Sequence, residues 1–379
     1  MMVDTTCILA SSYEAKRCGV KTGTSVAEAK SLCPDIQLLI ARPALYVSYH
    51  DRIVEAVGTV LPVDKVRSID EMQFRLIGRE REPENAAAIG RELKRAIREK
   101  VGDTLSCSVG IAPNAFMAKL GTELQKPDGL VVLEAKDLPG RVLQLELTGF
   151  TGINKKTAVR LNAAGIFTAA DLYAADPKGL VTAFGSVVGG RWWYLLRGYE
   201  LELPEQERKS LGHSHVLPPE MRTDQGCREV LLRLMQKASA RLRKEGLWAG
   251  SMDVFVRGRK KSWRAPLRLP PSQDTVTFNE HFLRAWEGRD FEQPYIVGVT
   301  FGGLAHAEEV TPSLFDPTRD RAALNSAVDS LNRRFGKNTI YLAGMEHAKD
   351  AAPERIAFRK TDLFSEGKDD NVWEGPSQS

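Results

Sequence analysis

The sequence has no apolar run long enough to span a bilayer and no signal peptide, so neither a helical membrane protein nor an exported one is expected. Cysteine is sparse. Cys7, Cys18, Cys33, Cys107 and Cys227 are scattered without a CxxC pair, which argues against a zinc site and a disulfide framework and for reduced thiols in the cytoplasm. Net charge is only +4, too little by itself to name a partner. No internal repeat and no low-complexity block occur. What remains is an ordinary globular composition, 42% hydrophobic and 27% charged, over 379 residues, enough for two to four domains.

The distribution of charge says more than its sum. Residues 205–268 hold 15 Lys and Arg against 7 Asp and Glu. A local excess of this kind fits a face made for a polyanion, and it also fits a solvated helix face. Periodicity gives a strand at 3–10 and short helices at 12–19 and from Ser25, where Glu28 three residues on predicts a capping box. An amphipathic helix follows over 43–60, then a helix at 84–101, a strand at 105–111, a helix at 114–124 and a strand at 130–133. Elements that alternate without a doubly wound rhythm predict an α+β fold with a sheet covered on one face. Short helices fill 135–200. After a polar linker at 201–209 the order is strand 210–217, helix 223–245, strands 249–257 and 261–269, helix 276–288 and strand 293–302. That β-α-β-β-α-β order predicts a split βαβ domain. A helix at 320–336 and a polar tail from about 361 close the chain.

Three stretches carry candidate chemistry. In "VRSIDEMQFRL" the acids Asp70 and Glu71 are read as a two-residue connection between strands, where strict alternation fails and neighbouring side chains can converge. Turn carboxylates are also common as plain solvated residues. In "LTGFTGINKKTAVRL" Gly149 and Gly152 frame a turn before a helix that opens on Lys155 and Lys156, an arrangement suited to a phosphate at a helix start. In "VRGRKKSWR" the basic residues Arg257, Arg259, Lys260, Lys261 and Arg264 sit at the central hairpin of the last domain. His213 and His215 share a strand face, with no third ligand to suggest a metal.

Taken together, "SYEAKRCGVKTGTSVAEAKSLCP", "SIDEMQF", "LSCSVGIAPNAFMAKLGTELQKPDGL", the Gly149–Leu161 hairpin and "ERKSLGHSHVL" resemble the Y-family DNA polymerases of the DinB type, in order and at similar spacing. The resemblance implies a multidomain right-hand fold: fingers at 1–42, palm at 43–134, a helical thumb with a helix-hairpin-helix at 135–200, a linker at 201–209, a little finger at 210–360 and a flexible tail at 361–379. It implies translesion DNA synthesis by nucleotidyl transfer on two Mg²⁺ ions, with Asp70 and Glu71 as ligands. It assigns Tyr13, Lys16 and Lys126 to the nucleotide; Lys16 stands where relatives usually have Arg, which costs the bidentate fork. It assigns the glycine hairpin and the basic little-finger residues to primer-template DNA.

One part of the pattern is missing. The family's palm opens with an Asp-x-Asp-x-Phe-Phe-like strand that supplies a third metal ligand. Nothing equivalent precedes Val3, and Asp4 lies on a fingers-like strand. The expectation is a polymerase whose recorded start lies late; the alternative is a non-catalytic, ImuB-like accessory protein that binds DNA and a sliding clamp. Clamp-binding peptides often end in Leu-Phe, and Leu314-Phe315 and Leu363-Phe364 both offer that pair.

Overall fold

The computed structural model describes residues 2–3, 7–201, 209–310 and 319–352. They divide into two compact units, one spanning residues 8–201 together with 2–3, the other spanning 209–352.

The first unit begins with a small sheet. Strand β1 (Met2–Val3) pairs antiparallel with β2 (Ile8–Ala10) and parallel with β3 (Leu39–Ile40). Between β2 and β3 lie α1 (Tyr13–Arg17) and α2 (Val26–Leu32). Ser12 and Ser25 cap them, each hydroxyl accepting the N–H three residues on. Glu28 does not return a bond to Ser25, so only half of the expected capping box forms. Ile8, Ala15, Val20 and Ala29 make the local core.

Next come α3 (Pro43–Gly58), the hairpin of β4 (Val63–Val66) and β5 (Met72–Phe74), and α4 (Pro83–Lys100). Both long helices open on proline, whose missing N–H costs nothing there. Ala56 and Val57 of α3 pack on Leu93 and Ile97 of α4 and on Val101, with Val63, Met72 and Phe74 of the hairpin beside them. Strand β6 (Val109–Ile111) then runs parallel to β7 (Leu130–Val132), joined by α5 (Ala115–Leu124). Gly110 is required at this contact: a Cβ there would lie 1.9 Å from the Ala118 carbonyl oxygen. The single covered sheet expected here is, among the described residues, two separate pairs, β4–β5 and β6–β7. The strand expected from 105 starts only at Val109, leaving too short a strand to extend a sheet.

Four short helices complete the unit: α6 (Lys155–Ala163), α7 (Ala169–Ala174), α8 (Pro177–Phe184) and α9 (Val188–Leu196). They gather around buried Trp192, whose ring meets Phe116 at 4.9 Å and Phe184 at 5.1 Å between centroids. Met117, Leu120, Val131 and Leu133 belong to the same apolar cluster, so α5 and β7 share a core with the helices that follow residue 134.

The second unit runs β8 (Ser210–Val216), α10 (Asp224–Lys244), β9 (Leu247–Lys261), β10 (Trp263–Ser272), α11 (Thr275–Trp286), β11 (Glu292–His306) and α12 (Arg319–Phe335). Its sheet has the order β10-β9-β11-β8, antiparallel throughout. Helix α10 crosses from β8 to β9, and β11 fills the gap between them, which is the split βαβ arrangement predicted from element order. Apolar residues alternate along β9 and β11 (Met252, Val254, Val256; Val297, Val299, Phe301) and face Val230, Leu234 and Leu242 of α10 and Phe278 and Phe282 of α11 in one core. Of the linker expected at 201–209, residues 202–208 lie outside the described residues.

Candidate active site and nucleic-acid interface

The connection between β4 and β5 is five residues, 67–71, not the two expected: Val66 pairs with Met72, and the N–H groups of Arg67 and Ser68 both donate to the Glu71 carbonyl, at 2.8 and 3.2 Å. The longer loop lets Asp70 and Glu71 escape strand alternation. The Ser68 hydroxyl donates to Asp70 Oδ1 at 2.6 Å and tethers that carboxylate. Beneath the loop, His50 of α3 is 4% exposed, with Nδ1 2.7 Å from the Ile69 carbonyl oxygen. A carbonyl can only accept, so Nδ1 carries the proton and the ring pins the loop backbone. On the hairpin itself Arg67 Nε donates to Gln73, and Gln73 donates to Asp64 at 2.9 Å.

Glu71 leads to α5. Its Oε1 lies 2.7 Å from Lys119 Nζ; Lys119 is 3.2 Å from Glu123, one turn further along α5; and Glu123 lies 2.7 Å from Lys126 Nζ. Three ion pairs thus tie the hairpin acid to the lysine of "KPDG". Burial works against the charge of Lys119, but bonding and attraction from Glu71 and Glu123 outweigh it and hold its ammonium above the usual lysine range. Burial likewise opposes Glu123, yet Lys126 and Lys119 draw its carboxyl below the usual range. Past Lys126, Asp128 pairs with Lys94 at 2.8 Å, and that bond lowers its carboxyl. Lys119, Glu123 and His50 were missed from sequence. The signal for the first two was present in "AKLGTELQK", where charges alternate at a four-residue step along α5, Lys119 to Glu123, and a three-residue step from Glu123 to Lys126 in the turn beyond it.

Tyr13 and Lys16 form a pair of their own on α1, the ammonium 4.7 Å from the ring centre. Among the described residues no hydrogen bond or ion pair joins them to the β4–β5 loop or to Lys126.

The glycine hairpin has a single-turn 3₁₀ segment, Leu147–Gly149, where a first helix was expected. Of its two glycines only Gly152 needs to be one: its φ is +104°, and a Cβ would come 3.3 Å from Trp192. Asn154 caps α6, its Oδ1 accepting the Thr157 N–H at 2.9 Å, and exposed Lys155 and Lys156 occupy the first two helical positions. The basic hairpin also differs from expectation. Strand β9 runs on to Lys261, and beyond Val256 it pairs with β11 rather than β10 in an irregular register, Arg257 opposite Ile296, Gly258 opposite Pro294 and Lys261 opposite Glu292. Gly258 permits this: a Cβ there would meet the carbonyl oxygens of Lys261 and Glu292 at 1.9 and 2.1 Å. The five basic candidates divide. Arg264 is held by Asp253 at 2.7 Å, and Lys261 pairs with Asp290. Arg257 rests over Phe255, while Arg259 and Lys260 are exposed with no carboxylate partner among the described residues. His213 and His215 lie on β8, opposite Val299 and Val297, with His215 buried. Leu314-Phe315 and Leu363-Phe364 lie outside the described residues, as does Asp4. No described helix is long and apolar enough to cross a membrane.

Residues 2–123 match the impB/mucB/samB family, and residues 208–314 match the C-terminal domain of that family. The chain is 32% identical to the DNA polymerase IV of Moorella thermoacetica, covering 89% of this chain and 86% of that protein. It is 27% identical to DNA polymerase IV 1 of Bacillus subtilis over 95% of this chain and 89% of that one. A chimaeric Y-family DNA polymerase has a similar fold, with a TM-score of 0.64 and 22% identity over 80% of this chain and 89% of its own.

Proposed function

The chain belongs to the impB/mucB/samB family, the DinB-like Y-family DNA polymerases, and from that membership we infer that it copies a DNA template past damaged bases. It is a DNA-directed DNA polymerase, a nucleotidyltransferase that binds DNA and a nucleotide. The observation that carries this is identity to a named polymerase sustained over 89% of the chain. The same relatives do not favour a non-catalytic accessory role.

Phosphoryl transfer asks a protein chiefly for positioning and charge. Asp70 and Glu71 are the residues that would hold a divalent cation, and their hard oxygens suit Mg²⁺, which is commonly bound by one or two carboxylates together with substrate phosphates. The donor set fits one ion: two adjacent, solvent-facing acids, with the Lys119 ammonium already standing as a cation on Glu71. A second ion needs another carboxylate, and no group of three His, Cys, Asp or Glu able to hold a metal occurs among the described residues. When bound, such ions neutralise phosphate charge and act as Lewis acids. Lys126 offers its ammonium to the triphosphate, and Tyr13 and Lys16 line the nucleotide on the fingers. Ser68 and His50 fix the acids' loop so that little reorganisation is needed. The start of α6 at Lys155 and Lys156, with Gly149 and Gly152 before it, takes backbone phosphates, as do Arg257, Arg259 and Lys260, with Lys261 and Arg264, already paired to Asp290 and Asp253, contributing less; contacts of this kind position DNA without reading its sequence.

On the same reading residues 1–42 are the fingers, 43–134 the palm, 135–200 the thumb and 210–360 the little finger. The protein works in the cytoplasm, and Leu314-Phe315 or Leu363-Phe364 engages a sliding clamp. Primer extension with Mg²⁺ on a template bearing an abasic site tests the central claim. Extension that is abolished by Asp70→Ala supports it; extension at the wild-type rate in that variant overturns the assignment of the acids.

A further inference from the structure

The ion pairs from Glu71 to Lys126 raise a question that a static site does not answer. Lys119, at 2.7 Å from Glu71 Oε1, competes with a divalent cation for that carboxylate. Lys119, however, has a second carboxylate within reach, Glu123 at 3.2 Å on its own helix. It can leave Glu71 without becoming an unpaired, half-buried charge, which would be costly. What holds it back is that Glu123 is already shared: the same Oε1 that faces Lys119 accepts Lys126 at 2.7 Å. The first and last members of this chain, Glu71 and Lys126, are the groups proposed above for metal and triphosphate. The middle two have no other ion-pair partners among the described residues.

We propose that Lys126, Glu123, Lys119 and Glu71 form an ion-pair relay that couples nucleotide binding to the availability of the metal-ligand carboxylate. A triphosphate draws Lys126 off Glu123; Glu123 then takes the whole of Lys119; Lys119 releases Glu71. Before the nucleotide arrives, Lys119 competes with a cation for Glu71 and keeps the site weak. Lys119 and Glu123 are therefore positioning residues, acting through Glu71. The inference rests on the assignment of Glu71 as a metal ligand, and it goes beyond that assignment in naming what controls the ligand.

Equilibrium binding of Mn²⁺ to the full chain with primer-template DNA and no nucleotide, followed by the electron paramagnetic resonance of the free ion, tests it. Lys119→Gln is expected to tighten Mn²⁺ about threefold, the weight of one partly exposed ion pair. Lys126→Gln, which mimics a lysine drawn away, is expected to tighten it similarly, and Glu123→Gln to weaken it. A uniform electrostatic field would give those same signs, so the decisive measurements are the double variants. In the relay, Lys126→Gln has no effect once Glu123 is Gln, and Glu123→Gln has none once Lys119 is Gln. Additive effects in both pairs overturn the relay while leaving the metal site standing. Mn²⁺ affinity that is unchanged in Glu71→Gln overturns the metal-ligand assignment itself, and the relay with it.

Discussion

His50 does its work through a single hydrogen bond. Its ring is buried in α3, and the bond to Ile69 holds the loop that carries both acids. Replacing it with alanine leaves a carbonyl without its donor and should destabilise the chain by about 1–3 kcal/mol. The same variant is expected to raise the Mg²⁺ concentration needed for half-maximal extension more than it lowers the maximal rate; a pure loss of maximal rate would refute a positioning role. Lys16 invites a second test. Its ammonium lies over Tyr13, where an Arg would add a planar, bidentate group. Lys16→Arg is expected to lower the KM for the incoming nucleotide with little change in kcat. At this scale the sequence was partly legible. The adjacent acids and the lysine of "KPDG" could be read as a pattern, whereas His50, 19 residues from Ile69 along the chain, carried no local mark.

Two elements of the second unit depend on close backbone approach and on a buried acid. In β9 the tip can pair with β11 only because residue 258 lacks a side chain. Gly258→Ala should force the two carbonyls apart, lower Tm and weaken DNA binding, while Mn²⁺ binding at the hairpin acids stays unchanged. Asp274 caps α11, taking the Thr277 N–H at 2.9 Å, and also accepts Asn325 of α12 at 2.7 Å and Arg321 at 3.4 Å. Burial opposes its charge, but the bonds from Asn325 and Thr277 prevail and hold its carboxyl below the usual Asp range. Because the folded value lies below the unfolded one of about 4, the stabilisation is fully present above pH values of about 4. It is lost as the pH falls through the folded value. Amide exchange in α12 is therefore expected to quicken on acidification below that point in the wild type, and to lose this pH dependence in Asp274→Asn. Arg243, held by Asp329 through two bonds of 2.6 and 2.8 Å, fastens the same helix further along.

Over the whole molecule the modest net charge conceals a basic segment at 205–268, and the structure sorts its members. Arg264 and Lys261 are already matched by acids, whereas Arg259 and Lys260 remain exposed without one among the described residues. Replacing Arg259 and Lys260 together should reduce the slope of log affinity against log salt by roughly 0.9 for each phosphate that is no longer neutralised. Arg264→Ala should change it far less, because Asp253 has already neutralised that charge. A slope left untouched by the double replacement would remove the β9 tip from the DNA interface.

The sequence by itself determined the α+β class, the βαββαβ order of the second unit, the extents of its long helices to within a residue or two, and the strings that carry the family resemblance. These follow from periodicity, capping and turn chemistry, which act between residues close in the chain. Tertiary structure alone decided that 67–71 is a five-residue loop, that β4–β5 and β6–β7 stand as separate pairs, that the β9 tip turns to β11, and that Glu71 meets Lys119 forty-eight positions away. The loop length is set by the register of Val66 with Met72, and the other outcomes turn on which segments distant in sequence meet and which do not. Which partner a backbone edge or a charged group takes depends on the packing that brings the candidates within a few ångströms, and no local pattern encodes that distance.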